Sequence, residues 1–385
     1  MSFVPLKFGV EIELLLGHKA GTAPFASWEN LAVTLSRLLA RAGVRNHVAK
    51  KSVAETYQEW SLMREVTIPD DPVHARYAVE LVSPVFDAGG SQWVADVEAI
   101  FAVLDAARMQ IHASDRCSTH VHVSTHPHAL GETAAMHLAE AVLYYEAALD
   151  ALVPAHRQTA TAAGTASYWS HSNRASHMFS GIESVSPHVM PTTTIEGYVR
   201  HCHAEHKAGR AVPLPLSLSA NTGHEIPLDT CLDIVRTCYD LRAFSMDQVM
   251  NWMAAGTVYG RARRMATDFV RGKVFKWNFE SLYRHGSNTK SSSSSSSSKP
   301  ARPHRDGTVE FRLPPGSVQA SDVGLWVSLA ATFVAGALAM EGRQIRSPAG
   351  TGATLGELRD LLEHGQEALG WQDLGLLQDM LNGVQ

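Results

Sequence analysis

The chain has 385 residues, 45% of them hydrophobic, with 33 Lys and Arg against 38 Asp and Glu for a formal net charge of −5. That balance excludes a dominant nucleic-acid role, which carries a basic excess, and the apolar share suffices for a sizeable core, read here as one domain over 1–385. Four cysteines, Cys117, Cys202, Cys231 and Cys238, show neither CxxC spacing nor the density of a disulfide framework, so a reducing, cytoplasmic setting is expected.

Residues 8–16, FGVEIELLL, open the chain in place of a readable signal peptide. Side chains alternate along a strand, so Phe8, Val10, Ile12 and Leu14 share one side, while Gly9, Glu11 and Glu13 share the other. Two residues of rise set the carboxylates roughly 7 Å apart. Their repulsion is about 2 kcal/mol at an effective dielectric of ~20. Either an exposed strand face or a bound cation accounts for that pair.

Helical periodicity predicts helices over 28–42, 92–109, 132–152, 228–241, 321–340 and 355–381, and strand patterns fall at 6–15, 59–68, 77–83, 118–124, 274–279 and 308–313. The two kinds of element are mixed without the regular alternation of a doubly wound sheet, and neither a dinucleotide loop nor a P-loop occurs. Residues 323–340 carry no charge over 18 positions, the lower limit for a membrane span. Their Ala, Gly, Ser328 and Thr332 favour a buried core helix. The serine run at 291–298 marks a low-complexity surface loop, 287–305.

Three further strands repeat the habit of the first. Val121 and Val123 oppose His120, His122 and Ser124; Val79 and Leu81 oppose Glu80; Val309, Phe311 and Leu313 oppose Glu310 and Arg312. Singly, each is compatible with a solvated sheet face or a cross-strand ion pair. Jointly, they predict carboxylates that converge on one face, a conflict that a hard divalent cation resolves through oxygen ligands. A single imidazole is tolerable in such a set, and a planar guanidinium suits phosphate oxygens.

The ordered set GVEIELLL, a Trp-led strand, VELVSP, CSTHVHVS and TVEFRLPPGS, from about residue 6 to about 340, resembles the amidoligases of the glutamine synthetase and glutamate–cysteine ligase superfamily. The resemblance implies an α+β fold: a curved, mainly antiparallel sheet with a concave face that binds ATP and Mg²⁺ or Mn²⁺, and helices on the other face. By motif, Glu11, Glu13, Glu80, His120 and Glu310 would be metal ligands. Arg312 would contact nucleotide phosphate, with Arg312 and Glu310 carrying the catalytic step and His122 on the metal or phosphate side. Glu65 stands where the family commonly has Asp, with Val66-Thr67 replacing Gly-Ser, and keeps the charge as a sixth expected metal ligand. The basic pair Arg271 and Lys273 precedes an Asn-containing strand and is a candidate phosphate contact.

The implied activity is ATP-dependent amide formation through an acyl phosphate, acting on small-molecule or peptide carboxylates and amines, with no nucleic-acid or membrane partner. Substrate-facing loops are expected at 159–181 and 287–305. Two alternatives stand beside it: a zinc hydrolase using His120, His122 and His126 or His128, and a binding protein of the same fold whose chemistry is lost through the Glu65 departure.

Overall fold

The computed structural model describes residues 4–50, 56–128, 130–158, 170–176, 178, 194–208, 227–253, 255–257, 269–271, 274–282, 307–340, 345, 350–372 and 375–383. Its strands are β1 (Leu6–His18), β2 (Asn46–Val48), β3 (Trp60–Arg64), β4 (Tyr77–Val82), β5 (Phe86–Asp87), β6 (Met109–His112), β7 (Thr119–Thr125), β8 (Ala255–Thr257), β9 (Phe269–Arg271), β10 (Trp277–Asn278) and β11 (Val309–Phe311). Its helices are α1 (Trp28–Arg41), α2 (Gln92–Ala106), α3 (Glu132–Tyr144), α4 (Glu146–Asp150), α5 (Ile195–Lys207), α6 (Leu228–Asp240), α7 (Met246–Met253), α8 (Ala320–Ala339), α9 (Leu355–Leu369) and α10 (Leu376–Gly383).

β1 organises the sheet. On one edge it pairs with β7 through residues 6–12 and then with β6 through 15–18; on the other it pairs with β5 at 7–8 and β4 at 11–16. The main path runs β10-β11-β7-β1-β4-β3-β2, antiparallel except for the β2–β3 pair. β8 and β9 form a separate two-stranded sheet. The alternation read from the sequence holds: Leu6, Phe8, Val10, Ile12, Leu14 and Leu16 are all buried. Those six side chains stabilise the fold by on the order of 10 kcal/mol, ample to offset two carboxylates on the opposite face. Val79, Leu81, Val121, Val123, Val309 and Phe311 extend the same apolar surface, against which α1 and α8 pack.

α8 is the one helix among the described residues long and apolar enough to cross a membrane, and 67% of its most apolar stretch is buried within the protein. It lies against β1, β7, α2, α3 and α9, as expected of a core helix. Its crossing with α9 is close. A Cβ added at Gly365 would come 1.8 Å from the Thr332 carbonyl oxygen, and one added at Gly336 would come 2.3 Å from the Leu361 carbonyl oxygen.

Two expected helices are each divided. The stretch 132–152 breaks at Tyr145, which lets Glu146 turn inward toward Lys276 and Ser172. The stretch 355–381 stops at Gly370, a left-handed C-cap with φ +70°. α5, α7 and the short strands β2, β5 and β6 carried too few periodic positions to be read in advance. The serine-rich loop 287–305 and most of 159–181 lie outside the described residues.

Candidate active site

The non-core face of the sheet carries the chemistry, and register explains why it converges. Glu11 lies opposite His120 on β7, and Glu13 lies opposite Glu80 on β4. Glu310 on β11 lies opposite His122 and, on its other side, Asn278 on β10. Continuing the alternation of β3 past its end, Ser61 and Met63 are followed on this face by Glu65. On this face a cavity of about 250 Å³ is lined by Glu11, Glu13, Glu65, Glu80, His120 and Arg312 together with Tyr57, Met63, Thr67, Val82, Arg116 and Ser118.

Across this face the ligand-type atoms fall into two groups, Glu11–His120–Glu310 and Glu13–Glu65–Glu80. In each, one atom per residue lies within 4.8 Å of the others. At that separation two full carboxylate charges repel by about 3 kcal/mol at an effective dielectric of ~20. In the second group the site responds by holding a proton. Burial, then the charges of Glu11, Glu65 and Glu13, push the Glu80 carboxyl up to about 9. Burial likewise raises Glu13, against the pull of His120 and the Ser118 backbone N–H, which donates to Glu13 Oε2 at 2.8 Å.

The first group is compensated differently. Burial works against ionisation of Glu11, but His122 and His120 together hold its carboxyl well below the usual range. His120 Nδ1 lies 3.1 Å from Glu11 Oε2 and His122 Nε2 lies 3.1 Å from Glu11 Oε1. His122 is pushed up to about 9, the Glu11 and Glu310 charges outweighing its burial. Glu310, buried, is kept low by Arg312 and His122. Its two oxygens accept from Arg312 Nη1 and, at 2.6 Å, from Asn278 Nδ2. Arg312 Nη1 also lies 3.4 Å from His120 Nδ1, while its Nε is buried with no hydrogen-bond partner among the described residues.

Residues 4–168 match the model of the family described as "Putative amidoligase enzyme". That stretch belongs to the amidoligase family. It contains β1 to β7 and, with them, Glu11, Glu13, Glu65, Glu80, His120 and His122; Glu310 and Arg312 lie beyond it. No curated protein matches the chain.

All six residues expected as metal ligands, together with His122 and Arg312, are brought together. Glu65 joins its group despite the added methylene, with Oε1 accepting from the Thr67 backbone N–H at 2.6 Å. His126 and His128 are exposed and join neither group. Arg271 is placed by its backbone in β9, paired with Ala255 of β8, and Lys273 lies outside the described residues. Sequence reasoning missed Asn278, Ser118 and two buried cations. Lys276 stands two residues before Asn278 and is held by Glu146 at 3.4 Å and Asp150 at 2.6 Å. Arg157 sits beneath the Arg312 backbone. The alternation of 274–279 could have flagged Lys276; nothing local flags Arg157.

Proposed function

We propose that this amidoligase is an ATP-dependent carboxylate–amine ligase that forms an amide through an acyl phosphate, with Mg²⁺ or Mn²⁺ as its metal and the non-core face as the concave, glutamine synthetase-like nucleotide face. The observation that carries this reading is the pairing of two three-residue acidic groups in one cleft beside a guanidinium with an uncommitted donor. Five carboxylates and one imidazole suit hard divalent cations, and the proton retained on Glu80 marks charge that the protein alone does not balance. Glu13, Glu65 and Glu80 would hold one ion and Glu11, His120 and Glu310 another. Bound there, the ions would supply charge neutralisation for the nucleotide phosphates and the approaching anionic acceptor.

The protein's own groups set the stage for that chemistry. Asn278 and Arg312 orient Glu310, His122 holds the charge of Glu11, and the Ser118 N–H fixes Glu13. Arg312 offers Nε to a phosphate oxygen, a donor fixed before substrate arrives. A carboxylate oxygen of the acceptor attacks the γ-phosphorus and ADP leaves. The amine nitrogen then attacks the acyl carbon, phosphate leaves, and the nitrogen gives up a proton. No enzyme nucleophile is required, and Cys117, beside Glu13, is kept a thiol by burial that pushes it up to about 12.

The test is an ADP-release screen over pairs of carboxylates and amines with Mg·ATP, followed by mass spectrometry of the product. ADP release that needs both partners and yields a condensed mass supports the reading; Mg·ATP binding without turnover for any pair points to the binding protein.

A further inference from the structure

Arg157 ends a short turn, Ala155–Arg157, and is 0% exposed. A guanidinium so placed costs several kcal/mol unless its charge and donors are met. Yet among the described residues no carboxylate forms an ion pair with it. Its Nε donates to the Leu313 carbonyl oxygen at 3.0 Å and its Nη2 to the Arg312 carbonyl oxygen at 2.5 Å, while Nη1 is buried without a hydrogen-bond partner among the described residues. The residues it grips are the two that follow β11, across 155 and 156 positions of sequence. From the other side, the Arg312 backbone N–H donates to the Lys276 carbonyl oxygen at 2.8 Å. The peptide carrying Arg312 is thus held between Lys276, the residue before β10, and a planar fork, two residues from Glu310. β11 has only three residues, so its own ladder bonds fix this segment weakly.

We propose that Arg157 is a positioning residue: it clamps the backbone after β11 so that Glu310 and Arg312 keep their places in the cleft. The fork needs two donors at fixed spacing, which Lys cannot reproduce. A bare buried cation near an acidic site has the opposite signature, because its repulsion would weaken metal binding and its removal would strengthen it. This rests on the metal–nucleotide reading of the cleft, and the sign of the effect separates the two roles.

The experiment is a Mn²⁺ titration without nucleotide, by calorimetry, on the full chain and its Arg157→Met, Arg157→Lys, Glu310→Gln and Arg157→Met/Glu310→Gln variants. Arg157→Met is expected to bind Mn²⁺ about 10-fold more weakly, the scale of losing a ligand's outer support. Arg157→Lys should fall between it and wild type. In the double variant the added loss should vanish, because the clamp acts through β11. Tighter or unchanged binding in both Arg157 variants overturns the clamp, as does a loss that persists in the Glu310→Gln background. Should Arg157→Met fail to fold, Arg157→Lys and its double with Glu310→Gln carry the same comparison. Wild-type Mn²⁺ binding without any Mg·ATP-dependent turnover would remove the ligase reading and leave the clamp; absence of Mn²⁺ binding would remove both.

Discussion

Two buried charged regions of this molecule invite comparison. Around Lys276, one ammonium meets Glu146 and Asp150, and Glu146 Oε2 also accepts from Ser172 Oγ at 2.9 Å and the Asn173 backbone N–H at 3.2 Å. In the cleft, Glu11, Glu13, Glu65, Glu80 and Glu310 face Arg312 and the two histidines. The first knot is closed by its own chain and ties α4, the turn at Asn173–Ala175 and β10 together. The second is left with more acid than the chain neutralises, and Glu80 keeps a proton in consequence. In the first knot two carboxylates share one ammonium; in the second, five carboxylates share one guanidinium and two imidazoles.

The sharpest way to break the contrast is to remove one carboxylate from the cleft. Glu310→Gln, like Glu13→Gln, should lower metal-dependent turnover by about 10³-fold or more, since metal and phosphate stabilisation are lost together. The thermal midpoint of Glu13→Gln should hold or rise, since burial already raises that carboxyl, whereas that of Glu310→Gln should fall because Arg312 is left buried without its carboxylate. A variant with wild-type turnover would dissolve the assigned site. The mirror experiment, Lys276→Met, should cost about 3 kcal/mol in urea unfolding by stranding Glu146 and Asp150; an unchanged midpoint would show that the knot is not the tie described. Arg312→Lys keeps the charge but loses the fork, and a fall of about 10²-fold in turnover is expected. Unchanged kinetics would end its role at phosphate.

The smallest effect is one of pH. Glu80 titrates higher in the folded protein, at about 9, than in the unfolded chain, and His122 is also pushed up to about 9. Their protonated forms therefore favour the fold. For Glu80 that contribution is complete below the ordinary carboxylate range, for His122 below the ordinary imidazole range, and both are lost as pH rises toward 9. Without added metal, the thermal midpoint should fall over that interval, and saturating Mg²⁺ should flatten the decline. Differential scanning fluorimetry across pH 5–9 measures both curves, and parallel curves would separate Glu80 from the metal.

How much of this was legible beforehand follows from the kind of interaction involved. Alternation put Glu11 with Glu13, His120 with His122 and Glu310 with Arg312 on common faces, because the period of a strand is a local property. That Glu80 lies opposite Glu13, rather than one register away, is a matter of pairing, and only the ordered motifs hinted at it. Arg157 was invisible because its partners are backbone oxygens, which every residue has. The break at Tyr145 was invisible because 132–152 is periodic throughout, and the inward turn is made for contacts with Lys276 and Ser172.

The position of β11 bears on how this protein is made. The stretch that matches the family spans residues 4–168, yet the strand bringing Glu310 inserts beside β7 and arrives from the last quarter of the chain. A ribosome will therefore have released most of the sheet before the acidic groove gains its fifth carboxylate and its arginine. Until then, β7 presents an unpaired border with His120 and His122 bared beside Glu11. A fragment ending near residue 168 would be caught in that half-built state, open to mispairing along that border.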